Sequence, residues 1–240
     1  MNPGAILALS MLVGDPEPPL RYLALGDSYS IGESVDATAR WPNQLAGELR
    51  KRGLKLLPAQ IFARTGWTTG ELEAALVAAE RGASVELAEG EFGLKPSPPY
   101  SLVTLLIGVN DQYRGHSPDS YRQGFAALLA RAISYAGGHA ERVVVLSIPD
   151  WGRTPFARAH DRDAARVGAQ IDAYNATALA LTQGAGASFV DITDLTREAE
   201  SRPELLAADG LHPSAIDYGR WAERALPAAQ RALGAAQADQ

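Results

Sequence analysis

The 240-residue chain contains no cysteine. Disulfides, thiolate nucleophiles and cysteine metal sites are thereby excluded, while the redox compartment stays open. Runs of like charge are also missing: 22 Lys and Arg are interspersed with 28 Asp and Glu, giving a net charge of −6. That distribution makes no basic face for a nucleic acid or an anionic membrane. No stretch approaches the roughly 20 apolar residues that cross a bilayer, so no membrane anchor is expected. The apolar segment at residues 5–13 has the length of a signal peptide, but no Lys or Arg precedes it and no small-x-small cleavage site follows. It reads as part of an N-terminal extension, residues 1–19, and a cytoplasmic location is favoured over export. Neither Gly-x-Gly-x-x-Gly nor a P-loop follows a strand pattern, so nucleotide binding has no support and no cofactor is expected. Repeats, heptad seams and low-complexity tracts are absent as well.

What is present is 46% apolar residues, enough for one sizeable core, and residues 20–240 read as one domain. Short apolar runs alternate with longer helical patterns, the signature of βαβ units around a mostly parallel sheet. Five strands are predicted, at residues 20–25, 54–63, 101–107, 142–148 and 188–191. Helices are predicted at 41–52, at 71–80 behind a capping box of Thr68 and Glu71, from Ser117-Pro118 to Gly137-Gly138, at 163–183 and at 214–235, with Pro227 a candidate kink. The connection 81–100 is long for its place and reads as an insertion.

The unusual polar residues fall at the carboxyl ends of these strands, where open α/β sheets place their binding crevice. Gly26-Asp27-Ser28 follows the first, Arg64-Thr65-Gly66-Trp67 the second, Gly108-Val109-Asn110-Asp111 the third and Pro149-Asp150-Trp151 the fourth. Asp209-Gly210-Leu211-His212 precedes the last helix. Acyl transfer needs a nucleophile, a base, a group that orients the base and donors for the oxyanion. This edge supplies each: Ser28 as nucleophile, His212 as base, and Asp209, three residues before it, to hold the imidazole. The backbone amides of Ser28 and Gly66 and the side-chain amide of Asn110 are the oxyanion candidates, with glycine at 66 allowing close approach. Asp27 reads as an acceptor for the turn and Asp111 as structural. Tyr29, Trp67, Tyr113 and Trp151 are candidates to wall the substrate pocket, with Phe156 behind them. Arg64, Arg114 and Arg153 near the same edge are candidates to recognise a carboxylate or a sugar, with surface ion pairing the default reading, and His116, His139 and His160 read as solvent-facing.

The blocks Gly26-Asp27-Ser28, Gly66, Gly108-x-Asn110-Asp111 and Asp209-x-x-His212 resemble those of the SGNH hydrolase superfamily, the GDSL-type lipases and esterases. Tyr29 stands where the family most often has Leu. The resemblance runs from residue 20 to 221 and implies a flavodoxin-like α/β/α sandwich with a five-stranded parallel sheet in the order 2-1-3-4-5. It also implies Ser28, Asp209 and His212 as triad and Gly66 and Asn110 as oxyanion donors. The expected substrate is a small-molecule ester. Deacetylation of a carbohydrate, thioester hydrolysis and acyl transfer are the near alternatives. A non-catalytic binding module of the same fold would lack a triad member, and a metal phosphoesterase would need more His and Asp near these blocks than the chain has, so no metal is expected. The oligomeric state stays open.

Overall fold

Five of the apolar runs come together as one parallel sheet in the computed structural model, which describes residues 18–88, 91–93 and 95–238. The strands in chain order are β1 (Tyr22–Gly26), β2 (Gln60–Ala63), β3 (Val85–Ala88), β4 (Glu91–Gly93), β5 (Leu102–Leu106), β6 (Val143–Leu146) and β7 (Ser188–Val190). The main sheet runs β2-β1-β5-β6-β7, and every neighbouring pair in it is parallel. With β3 and β4 set aside this is the predicted order. Those two form a separate antiparallel pair inside the long connection read as an insertion.

Every residue of β1, β5 and β6 is buried, because helices cover both faces; this is why these strands are continuous apolar runs without alternation. The second strand is shorter than predicted. Pro58 has no N–H to give to a ladder, and N-terminal to it only an isolated bridge between Leu56 and Leu20 forms.

The helices are α1 (Ser28–Ile31), α2 (Trp41–Lys51), α3 (Thr69–Glu80), α4 (Val109–Tyr113), α5 (Pro118–Tyr135), α6 (Pro155–Ala159), α7 (Ala164–Gly184), α8 (Thr193–Arg197) and α9 (Ala215–Ala238). Helix α9 packs on α2 on one side of the sheet, and α5 packs between α3 and α7 on the other. The capping box of Thr68 and Glu71 opens α3 as predicted, with both reciprocal hydrogen bonds made. Helix α9 runs through Pro227 as one element. The largest fully buried side chains, among them Trp41, Trp221, Tyr22, Phe62 and Phe125, lie in one cluster around the sheet. Residues 1–17 of the predicted extension lie outside the described residues. No helix among the described residues is long and apolar enough to cross a membrane.

Candidate active site

Strand β1 delivers Ser28 to the carboxyl edge of the sheet, where the chain turns directly into the short helix α1. Asp27 caps that helix, its Oδ1 accepting from the Tyr29 amide at 3.0 Å. It is an acceptor for the turn, as its position suggested. Its carboxyl is fully buried, and burial pushes its pKa up to about 8; the Tyr29 amide opposes the rise and the charge of Asp111 adds to it.

The segment before α9 folds back on itself. Leu206 bridges Pro213, and the Ala207 amide donates to the His212 carbonyl at 2.8 Å. Inside this clasp the carboxylate of Asp209 uses its two oxygens differently. Oδ1 accepts from the amides of Leu211 and His212, each at 2.9 Å. Oδ2 faces His212 Nδ1 at 2.7 Å and also accepts from the Ser34 hydroxyl at 2.8 Å. One oxygen holds the loop and the other holds the imidazole. Burial alone would raise the Asp209 pKa, but the hydrogen bonds from His212, from the two amides and from Ser34 outweigh it and bring it down to about 2. An ionised carboxylate only accepts, so Nδ1 carries the proton and Nε2 of the neutral ring is an acceptor. That nitrogen lies 2.9 Å from Ser28 Oγ. Tyr29 packs on the imidazole with ring centroids 4.9 Å apart, and Trp221 stacks behind Tyr29.

Gly66 follows β2 with φ at +84°, the left-handed region. A Cβ there would meet nothing closer than Arg114 Nη2, at 3.5 Å. The left-handed backbone conformation by itself favours glycine at this position. Its carbonyl accepts from Arg114, which Glu71 holds at 3.0 Å. Asn110 sits at the start of α4 and donates from Nδ2 to the Trp67 carbonyl at 3.0 Å, leaving its second amide hydrogen for another acceptor. Among the described residues, neither the Ser28 nor the Gly66 amide makes a hydrogen bond.

A cavity of about 170 Å³ opens directly on Ser28, His212, Gly66 and Asn110. Tyr29, Val109, Tyr113, Trp151, Phe156 and Leu211 form its apolar wall. Tyr113 meets Trp151 edge-on at 5.2 Å, and Phe156 closes the row 6.3 Å from Trp151. The indole nitrogen of Trp151 donates to Gln112 at 2.8 Å, which fixes the ring's rotation. Trp67 is the exception among the candidates. It turns inward against Phe62, with ring centroids 5.8 Å apart, and does not line the cavity.

The loop carrying Trp151 is anchored by Asp150, a fully buried carboxylate paired with Arg197 at 2.9 Å and accepting from the Gly152 amide. Asp111 is structural: it takes the amide and hydroxyl of Thr69 at 2.9 and 2.7 Å. Arg64, Arg114 and Arg153 all form ion pairs. His116 is exposed, as expected, and its ring also reaches Asp111 at 3.3 Å. Among the described residues no group of three or more His, Asp or Glu side chains is arranged to hold a metal ion. Sequence reasoning missed Ser34, Thr65, Val109 and Leu211 at this site. For Leu211 a signal existed, its place between the paired Asp209 and His212.

The model of the GDSL-like lipase/acylhydrolase family matches residues 24–219, most of the chain and every block above. The chain belongs to this family. It is accordingly a hydrolase acting on ester bonds, with the SGNH fold. Solved structures share that architecture at low identity. TesA aligns at a TM-score of 0.63 with 20% identity, covering 89% of this chain and 99% of TesA. The psychrotrophic esterase EstA from Pseudoalteromonas sp., inhibited by monoethylphosphonate, aligns at 0.61 with 14% identity over 89% and 98% of the two chains. Axe2, an acetylxylan esterase from Geobacillus stearothermophilus, aligns at 0.55 with 18% identity over 90% and 94%. No protein of curated function matches the GDSL chain described here.

Proposed function

We propose that this GDSL hydrolase cleaves carboxylic esters through an acyl-enzyme on Ser28. The observation that carries the reading is the continuous hydrogen-bonded chain from Ser28 Oγ to His212 Nε2 at 2.9 Å and from His212 Nδ1 to Asp209 at 2.7 Å. In the first half-reaction Ser28 Oγ bonds to the acyl carbon as its proton passes to His212 Nε2, and the carbonyl electron pair moves onto oxygen. The Ser28 and Gly66 amides and the free Asn110 hydrogen stabilise that oxyanion. The imidazolium formed is held by Asp209, which stays ionised because its pKa is near 2. Collapse breaks the bond to the alcohol oxygen, which takes the proton from Nε2. Water then attacks the acyl-enzyme, with His212 again accepting and returning the proton, and Ser28 is restored.

The aromatic-walled cavity is the acyl site in this reading. At about 170 Å³ it is far larger than an acetyl group needs. Its size is close to that of a roughly 150 Å³ apolar cavity known to take a benzene ring. The preferred acyl groups are therefore aryl or of about six carbons, which disfavours a dedicated deacetylase. An ester panel tests this. Activity should peak at hexanoyl or benzoyl esters and fall for acetyl and dodecanoyl, with Ser28→Ala abolishing turnover of all of them. Undiminished turnover by Ser28→Ala, or a maximum at acetyl, contradicts the reading.

A further inference from the structure

A second cavity, about 510 Å³, adjoins the first, and Thr65 lines both. Its character is different: Glu33, Ser34, Arg40 and Arg64 contribute to its wall. Arg40 is the residue that asks for an explanation. Its carbonyl accepts from the Asn43 and Gln44 amides, but its side chain makes no hydrogen bond or ion pair among the described residues, and its Nε is without an acceptor. Its stem lies across Gly32, which has φ at +68°, and a Cβ on that glycine would stand 2.4 Å from Arg40 Cγ. The seat is built for this arginine, yet the guanidinium, with its five donors, has no partner among the described residues. A half-buried guanidinium that borders a cavity and has no acceptor among the described residues is placed to take one from a ligand.

The remaining groups limit what that ligand is. Glu33 brings a carboxylate to the same cavity and accepts from the Thr65 hydroxyl. Arg64 is taken up by Glu86, which also lines the cavity: it donates to the Glu86 carbonyl at 3.4 Å and lies 3.7 Å from the carboxylate. A phosphate or carboxylate facing Arg40 would also face Glu33, and an apolar alcohol would leave both charges unmatched. A ligand with several hydroxyls serves both, since each hydroxyl donates and accepts. The cavity also touches the reactive groups, because Ser34 lines it and donates to Asp209.

We infer that this second cavity binds the alcohol half of the ester, and that this alcohol is polyhydroxylated, a sugar or polyol. With the first cavity taking the acyl group, the substrate class is an apolar acyl ester of a sugar or polyol. The inference rests on the acyl-enzyme reading at Ser28.

The test compares kcat/KM for hexanoyl glucose with that for 4-nitrophenyl hexanoate, which share an acyl group and differ in the alcohol. The ratio of the two should fall at least tenfold in Arg40→Ala and at least threefold in Glu33→Gln. An unchanged ratio in correctly folded variants overturns the inference. A larger loss for an ester of glycerol phosphate than for the glucose ester also overturns it, by making the cavity an anion site. Should both variants fail to fold, the wild-type enzyme decides: free glucose must inhibit 4-nitrophenyl hexanoate hydrolysis at lower concentration than cyclohexanol, and the reverse order overturns the inference. Failure of the underlying reading looks different, since Ser28→Ala would then turn over both esters.

Discussion

Ser34 Oγ donates to Asp209 Oδ2 at 2.8 Å, on the same carboxylate oxygen that faces His212 Nδ1. Ser34 makes this contact from φ +65°, a left-handed conformation that non-glycine residues rarely adopt. Losing the hydroxyl removes one of the bonds that hold the Asp209 pKa down. A hydrogen bond of this kind contributes about 1 kcal/mol, so Ser34→Ala should lower kcat roughly fivefold. Ser34→Gly loses the same hydroxyl but relieves the backbone, and should match the alanine variant in kcat while exceeding it in stability. Wild-type kcat in the glycine variant would show that the hydroxyl does not act through Asp209.

Asn110 commits one amide hydrogen to the Trp67 carbonyl. If the other meets the oxyanion, Asn110→Ala costs about 3 kcal/mol of transition-state stabilisation, on the order of 100-fold in kcat. KM should change little, because the bond strengthens only as charge develops. Steady-state kinetics on a hexanoyl ester check this, and an unchanged kcat takes Asn110 out of the site.

Asp27 gives a pH signature. Its carboxyl titrates near 8 in the folded chain against a usual value of 3.8, chiefly because it is buried. Between those values the folded state holds a proton that the unfolded state has lost, so this group makes stability fall as pH rises from about 4 to 8, and adds no slope above. Asp27→Asn keeps an acceptor for the Tyr29 amide and cannot ionise. Its stability relative to wild type should therefore increase across that window, measured by urea unfolding at pH 5, 7 and 9. Asp209 has the opposite sign: depressed to about 2, its contribution is complete above 3.8 and lost only as pH falls toward 2. Parallel profiles for wild type and Asp27→Asn would contradict a neutral Asp27.

The ion pair of Asp150 and Arg197 ties the loop bearing Trp151 to α8. Removing one partner leaves a buried charge, so Arg197→Met should destabilise the fold by roughly 3 kcal/mol, less whatever solvent reaches the site past the half-exposed arginine. The same variant should blunt the preference for hexanoyl over acetyl esters, because Trp151 loses its anchor. A stable variant with unaltered acyl selectivity would separate this pair from the acyl site.

The main sheet was readable because strands buried on both faces appear as uninterrupted apolar runs, and β1, β5 and β6 are such strands. Ser28, Asp209 and His212 were readable because two of the strand-edge rules, position at a carboxyl end and a three-residue spacing, bear directly on geometry. Other features depend on three-dimensional packing that local pattern does not encode. Trp67 and Trp151 both follow strand ends, and only the space beside Phe62 decides that one turns into the core while the other walls the cavity. Helices α1 and α4 are four and five residues long and are written in turn vocabulary, so they read as turns. Ser34 reaches Asp209 across 175 positions from a backbone conformation its residue type does not advertise.

The most direct measurement is mass spectrometry of the folded protein after reaction with a fluorophosphonate, with the adduct mapped by peptide. A single covalent adduct is expected on Ser28, slowed strongly by His212→Ala and lost in Ser28→Ala. An unlabelled Ser28, or an adduct on another residue accompanied by loss of esterase activity, would contradict it.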